Sequence, residues 1–325
     1  MIWRQLKLSM KFVLTFLTCL LALTLVGCTP SSDTTPDASL IEQEDPAEIG
    51  QKWGFIDWTG KVVIEPAYQK VKPFSGGLAA VKKGGLWGYI NSEGSLTINP
   101  QFYSAGSFTD DLAEVRMKDG KWGYIDTKGN TVVPSQFDGA RAFSGGLAPV
   151  QQGDKWGFID KTGNLVMKPE YADVMPFSEG LAAVQVEGKW GFVNTTGKLQ
   201  IEPKYDSVTS FKNGAAEVRT EGKFGIIDQN DFFQERPETD SQAAYSEDLA
   251  LFQQTGEWGY VDRKGHIVIK PKYSRAEKFS EGRALVKIGN KVGFINKAGR
   301  VVIKPKYADA LSFSDGMAAI CIFQD

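Results

Sequence analysis

A glycine that follows tryptophan, or a residue standing in for it, recurs at Gly54, Gly88, Gly123, Gly157, Gly191, Gly225, Gly259 and Gly293. The spacing is 34 residues throughout, except for 35 between Gly88 and Gly123. A fixed period of this size means one supersecondary unit repeated in a solenoid, a propeller or an array. Eight copies fill the chain from about residue 51 onward.

Other positions keep step with the glycine. Trp precedes it at Trp53, Trp87, Trp122, Trp156, Trp190 and Trp258, and Phe224 and Val292 take its place elsewhere. Three residues later stands Asp or Asn, followed by Gly, as in "DKTGN". A Pro comes next, then Tyr or Phe, and each copy closes on a variant of "FSEGLAAV". "WGFID" and "VVIEP" are short apolar runs rich in aromatic and β-branched residues, and they read as strands. The Asp-x-x-Gly between them suits a tight hairpin, with the carboxylate capping the turn and Gly taking positive φ. "LAAV" is a third strand, joined to the next "WG" through turns such as "EGK". No segment of the repeat region has the period of an amphipathic helix. The fold class is therefore all-β, with eight β-meander repeats over residues 51–325.

These positions together resemble the WG-repeat family of bacterial proteins. The resemblance covers the whole of residues 51–325. It implies a β-repeat fold and no defined reaction.

Proline lacks the N–H that a ladder needs, so the Pro-bearing strand is expected at an edge. Small side chains place "LAAV" innermost, with "WGFID" between the two. The array starts at "WGFID" without an "LAAV" of its own and finishes with "MAAICIF" (Met317 to Phe323) without a following WG strand. Joining the two completes a blade, which predicts a closed eight-bladed propeller. An open β-solenoid of eight copies is the alternative. Propeller units commonly have four strands, and "KYDSVTSF" is a candidate for a small fourth one.

Ahead of the repeats lies a processing signal. Arg4, Lys7 and Lys11 precede an apolar run from Phe12 to Val26, too short for a membrane span and right for a signal-peptide core. It ends in "LVGC", which resembles the lipobox of bacterial lipoproteins. The resemblance implies a signal peptide over 1–27 and lipidation at Cys28. Residues 29–50 carry six acids and no basic residue, the composition of a disordered tether. Thr29 after the Cys resembles the sorting pattern of outer-membrane lipoproteins in a two-membrane cell. In a one-membrane cell the protein would face outward from the plasma membrane.

The formal charge of the chain is −2, and without the signal and tether residues 51–325 stand near neutrality. No basic patch points to nucleic acid. The chain has three Cys and one His, His266 in the turn "RKGHIV". That leaves no zinc cluster and no Ser-His-Asp set beyond this surface histidine, and no metal or cofactor is expected. Each repeated Asp or Asn reads as a hairpin cap, and each repeated Trp reads as packing between sheets. The sixth copy departs most, with "QNDFFQERPETDSQAAYSED" in place of the hairpin. Its acids Asp231, Glu235, Glu238 and Asp240 form the one candidate unique surface. The expected role is a non-catalytic binding or scaffold lipoprotein of the cell envelope, with a protein or glycan partner. Two alternatives are an outer-membrane assembly factor of the propeller-lipoprotein type and a carbohydrate-active enzyme using the sixth-copy acids.

Overall fold

The computed structural model describes residues 50–236 and 245–323, all of them in the compact unit Pro36–Asp325. Cys28, Glu238 and Asp240 lie outside the described residues, as do the signal segment and all but the last residue of the acidic stretch. Among the described residues there is no helix; every regular element is a strand, and the strands form eight four-stranded antiparallel sheets. Each sheet is a blade of a ring. In the second blade the order is Lys70–Val71, Leu78–Lys83, Leu86–Asn91 and Leu96–Phe102.

The extra residue of the third copy is absorbed in a turn. Leu112 pairs with Asp126 where Leu78 pairs with Asn91, and the added residue sits in the loop closed by the Met117 N–H to Lys121 carbonyl bond.

Both ends of the array meet in one blade. Asp309–Ala310 and Met317–Phe323 supply two strands, and Gln51–Asp57 and Val62–Tyr68 supply the other two. The register runs from Gln51 opposite Phe323 to Asp57 opposite Met317 without a break. The open solenoid is thereby excluded, and no central strand is left with a free edge.

Neighbouring blades are stitched through the turns between their first and second strands. The Ser75 hydroxyl donates to the Phe108 carbonyl at 2.7 Å, Ser144 to Phe177 at 2.6 Å and Ser178 to Phe211 at 2.6 Å. Ser246, Ser280 and Ser314 donate to Phe279, Phe313 and Phe74, so the last of these closes the circle. Sheets packed face to face stand about 10 Å apart. A serine reaches the next backbone only where the blades converge, near the axis. The two-residue strand is therefore the innermost one, and "LAAV" is second rather than first. Ser207–Val208, inside "KYDSVTSF", is one such strand. Two residues carry too weak a pattern to rank against "LAAV" on sequence.

The outermost strand carries the proline, as expected of an edge. It also bulges. Trp156 pairs with Tyr171 and Phe158 with Met167, so two residues of the third strand oppose four of the fourth. The bulge lies directly over the WG glycine.

The core is a series of interfaces between blades. At the second and third blades, Leu78, Trp87, Tyr89 and Phe102 pack against Phe108, Val115 and Ile125. Equivalent clusters occupy six more interfaces. A ring pair keys each of these seven, from Phe55–Phe74 through Phe192–Phe211 to Phe294–Phe313, with centroids 4.8 to 5.0 Å apart. Such pairs add about 0.5–1.5 kcal/mol each beyond area burial. All six repeat tryptophans pack into these clusters. Trp87 and Trp190 are buried, and Trp53, Trp122, Trp156 and Trp258 are half-buried.

Candidate functional site

Leu78 begins the second strand opposite Asn91, which ends the third. The Ser-Gly turns and the Asp-x-x-Gly turns therefore share one face of the ring. On that face the repeated polar groups are committed to structure. Asp57 Oδ1 accepts the amides of Thr59 and Lys61 and the Thr59 hydroxyl, and Asp160 is bonded in the same way. The Thr59 and Thr162 hydroxyls hold these carboxyls below their usual range, and the Phe232 and His266 amides do so for Asp228 and Asp262. His266 is exposed, with Nδ1 3.1 Å from Asp262. The acids of the inner turns are committed too. Glu179 accepts the Asn213 and Gly214 amides, Asp315 that of Gly77, and Asp110 that of Gly146.

Non-repeating groups lie on the innermost strands or one residue past their ends. The paired positions there are Lys70 and Lys72, Gly139 and Arg141, Asp173 and Met175, Arg275 and Glu277, Asp309 and Leu311. The Arg141 guanidinium donates to Asp173 at 2.8 Å and lies 4.1 Å over Trp156. Arg275 joins Glu277 at 3.1 Å and Asp309 at 2.9 Å. Beside Gly106 sits the carboxyl of Glu114, in the second strand of the third blade, where Ala80 and Ala183 stand in other copies. Burial pushes this carboxyl up from its usual range, and its Oε2 has no hydrogen-bond partner. Sequence reasoning passed over these residues and expected unique chemistry only in the sixth copy. The signal was present as variability at fixed repeat positions, but only the fold shows that those positions share the axis.

The acids of the sixth copy do not form a constellation. Asp231 stands where other copies have the hairpin glycine and takes its left-handed backbone, at φ 67°. Its carboxylate accepts the Tyr205 hydroxyl at 2.5 Å and pairs with Lys204, both on the fifth blade. Glu235 ends a shortened outer strand, Phe233–Glu235, and is exposed 3.4 Å from Lys223.

What the sixth copy does change is its interface with the seventh blade. Val81, Val115, Val150, Val184, Val218, Val286 and Ile320 are at most 1% exposed, yet the equivalent Phe252 is half-buried. Val261 departs in the same way from its fully buried counterparts, such as Ile90 and Ile295. Ile226 replaces the aromatic ring that would pair with Tyr245. A cavity of about 150 Å³ opens here, lined by Lys212, Ala215, Glu217, Ile226, Tyr245 and Arg263.

This architecture is that of an eight-bladed β-propeller. The pattern of the WG containing repeat family matches residues 53–87, 87–122, 122–156, 156–190, 190–224, 258–291 and 293–322, and the chain belongs to that family. The gap between matches, from 224 to 258, is the sixth copy. No curated protein matches the chain in sequence. Among solved structures, BamB from Moraxella catarrhalis is similar at 12% identity, over 78% of this chain and 96% of that one, with a TM-score of 0.42. A eukaryotic initiation factor is similar at 12% identity, over 80% and 86%, with a TM-score of 0.47. Hsv2p from Kluyveromyces lactis is similar at 11% identity, over 69% and 91%, with a TM-score of 0.42. At these identities the likenesses concern fold alone.

Proposed function

We propose that the protein is a lipid-anchored binding or scaffold module of the cell envelope, which holds a protein or glycan partner and carries out no turnover. One observation carries this reading: the repeated polar groups serve turns and blade contacts, whereas charged residues that differ between copies gather on the innermost strands or one residue past their ends. Lys70, Lys72, Arg141, Asp173, Arg275, Glu277 and Asp309 give that region charges of both signs on a rigid frame. Mixed charge in fixed positions selects a partner by complementarity more than by net attraction. Lipidation at Cys28 and the acidic stretch after it supply the anchor in this reading.

The test is site-specific photo-cross-linking in cells, with the probe at Lys72 or Met175 and, for comparison, at Lys168 on an outer strand. A single partner captured from the two inner positions and not from the outer one is the expected result. Capture only from Lys168 would show that the partner binds the perimeter and would end this reading. Steady turnover of an envelope polysaccharide by the purified protein would end the non-catalytic part of it.

A further inference from the structure

We infer that one arc of the ring, at the outer hairpins of the seventh, eighth and closing blades, lies against an anionic lipid bilayer. This does not depend on lipidation at Cys28. The near-neutral total of residues 51–325 hides an uneven distribution of charge. Residues 245–307, the seventh and eighth blades, hold thirteen Lys and Arg against six Asp and Glu, a formal +7. The remaining residues of 51–325 hold 21 against 27, a formal −6.

The outer hairpins bring part of this charge to one face of the ring, and successive tips nest. A β-carbon at Gly60 would lie 3.2 Å from Ile303, and one at Gly299 would lie 3.2 Å from Ile269, each on the blade before. The three tips are therefore fixed side by side. Arg263 and Lys297 are tied to Asp248 and Glu247, at 3.0 and 3.1 Å. Lys264, Arg300 and Lys61 hold no ion pair among the described residues.

Apolar groups stand beside these cations. The tip of the closing blade carries Trp58, 63% exposed, whose carbonyl accepts the Arg283 guanidinium at 2.8 Å. After the other two tips the outer strands open on Ile267 and Val268 and on Val301 and Val302, all four exposed. Lys270 and Lys272, or Lys304 and Lys306, follow, with no acid in either strand. Val302, Lys304 and Lys306 are spaced by two and share one side of their strand. Leu165 and Val166 of the fourth blade are exposed in the same way, but there Lys168 is balanced by Glu170. Among the described outer strands, only those of the seventh and eighth blades join two exposed aliphatic residues to two lysines. An interfacial Trp, aliphatic side chains at the acyl boundary and lysines with heads among phosphates together suit a bilayer surface. A nucleic acid or an anionic glycan would use the cations and leave the four aliphatic side chains in water.

The test is photo-cross-linking of the purified full chain on phosphatidylcholine vesicles with and without phosphatidylglycerol. The probe replaces Val302 or, for comparison, Val166, which holds the same repeat position at the same 39% exposure. Both positions belong to one chain, so an anchor at Cys28 acts on both alike. Lipid adducts are read by mass. We expect them at Val302 and not at Val166, dependent on phosphatidylglycerol and lost at high salt. Lys264→Gln with Arg300→Gln should reduce the Val302 adducts about tenfold or more. Trp58→Ala should reduce them as well, at an unchanged melting temperature. The inference is overturned if Val302 gives no lipid adduct or no more than Val166, or if adducts form equally on phosphatidylcholine alone. It is overturned too if these substitutions leave the adducts unchanged. Binding of an oligonucleotide or an anionic polysaccharide without any lipid adduct would assign the arc to a soluble polyanion instead.

Discussion

A methyl group added at Gly157 would lie 2.5 Å from the Met167 carbonyl oxygen and 2.7 Å from the Pro169 nitrogen. The same collision with outer-strand backbone awaits a side chain at Gly54, Gly88, Gly191 and Gly293. The glycine of the WG pair is thus the floor on which the outer strand bulges. Gly157→Ala should cost about 1–3 kcal/mol, the range for overpacking a tight site. Gly265, by contrast, takes positive φ and has open space around it. Gly265→Asn should cost well under that, since Asn enters the left-handed region readily. Paired thermal melts check the contrast, and equal losses would show that the bulge is not what fixes the WG glycine. Glu114 gives a second expectation, in the opposite sense to the capping aspartates. Its carboxyl is raised by burial, so the folded state takes up its proton more readily than the unfolded one, and stability from this group grows as pH falls. Glu114→Gln should therefore raise the melting temperature at pH 7. The gain should shrink as pH drops through the raised carboxyl pKa and be gone once the unfolded chain is also protonated. A gain that persisted at pH 3 would rule out ionisation as its source. The recurrence of Gly157 and its counterparts was legible in the sequence, but the reason for it was not, because the bulge joins residues about ten apart on two strands. Nothing in "LAEVR" announces that Glu114 is packed beside Gly106.

At the level of strands and blades, alternation and turn chemistry carried most of the information. "WGFID", "VVIEP" and "LAAV" are strands, and the Asp-x-x-Gly hairpins between the first two form as their residue types require. Less legible was anything resting on two residues. Lys70–Val71 and its counterparts are held by "LAAV" on one side and by the axis on the other, a tertiary setting that local propensity does not report. The closing blade yields the test at this scale. Deleting Met317–Phe323 removes every partner of Gln51–Asp57 on one side and takes Ala318 and Ile320 out of the cluster around Ile56, Phe294 and Phe313. Hydrogen exchange should show lost protection at Trp53 to Asp57 and a lower melting temperature for the whole ring. Retained protection there, with fraying confined to the eighth blade, would contradict closure through these strands.

For the whole molecule the sequence showed the period, and the period together with the complementary ends implied the ring. It did not show which residues the ring would bring together at its centre, because they sit some 34 residues apart in sequence and share no motif. The cavity beside the sixth blade is hidden in the sequence for a related reason: Ala215 and Ile226 look ordinary until they are set against their equivalents. The proposed lipid anchor belongs to this scale and has its own check. Labelled fatty acid should enter the wild-type protein and not Cys28→Ala, and that variant should remain unprocessed or leave the membrane fraction. Absence of label in the wild type would remove the anchor from the proposal.

The closing blade also sets a timetable. Val62–Tyr68 and its neighbour Gln51–Asp57 are made early, yet the strand that covers their open edge is made about 250 residues later. At ~5–20 residues per second the ribosome needs roughly 10 to 50 s to produce it. Throughout that interval a nascent chain would present an unpaired, apolar strand edge, the kind of surface that templates aggregation. A chain exported before folding would meet the same delay on the far side of the membrane if it emerges amino end first. The cell must therefore shelter the first hairpin until the end of the array arrives, and shortage of a holding chaperone should harm this protein sooner than a solenoid of equal length, whose early repeats can settle as they appear.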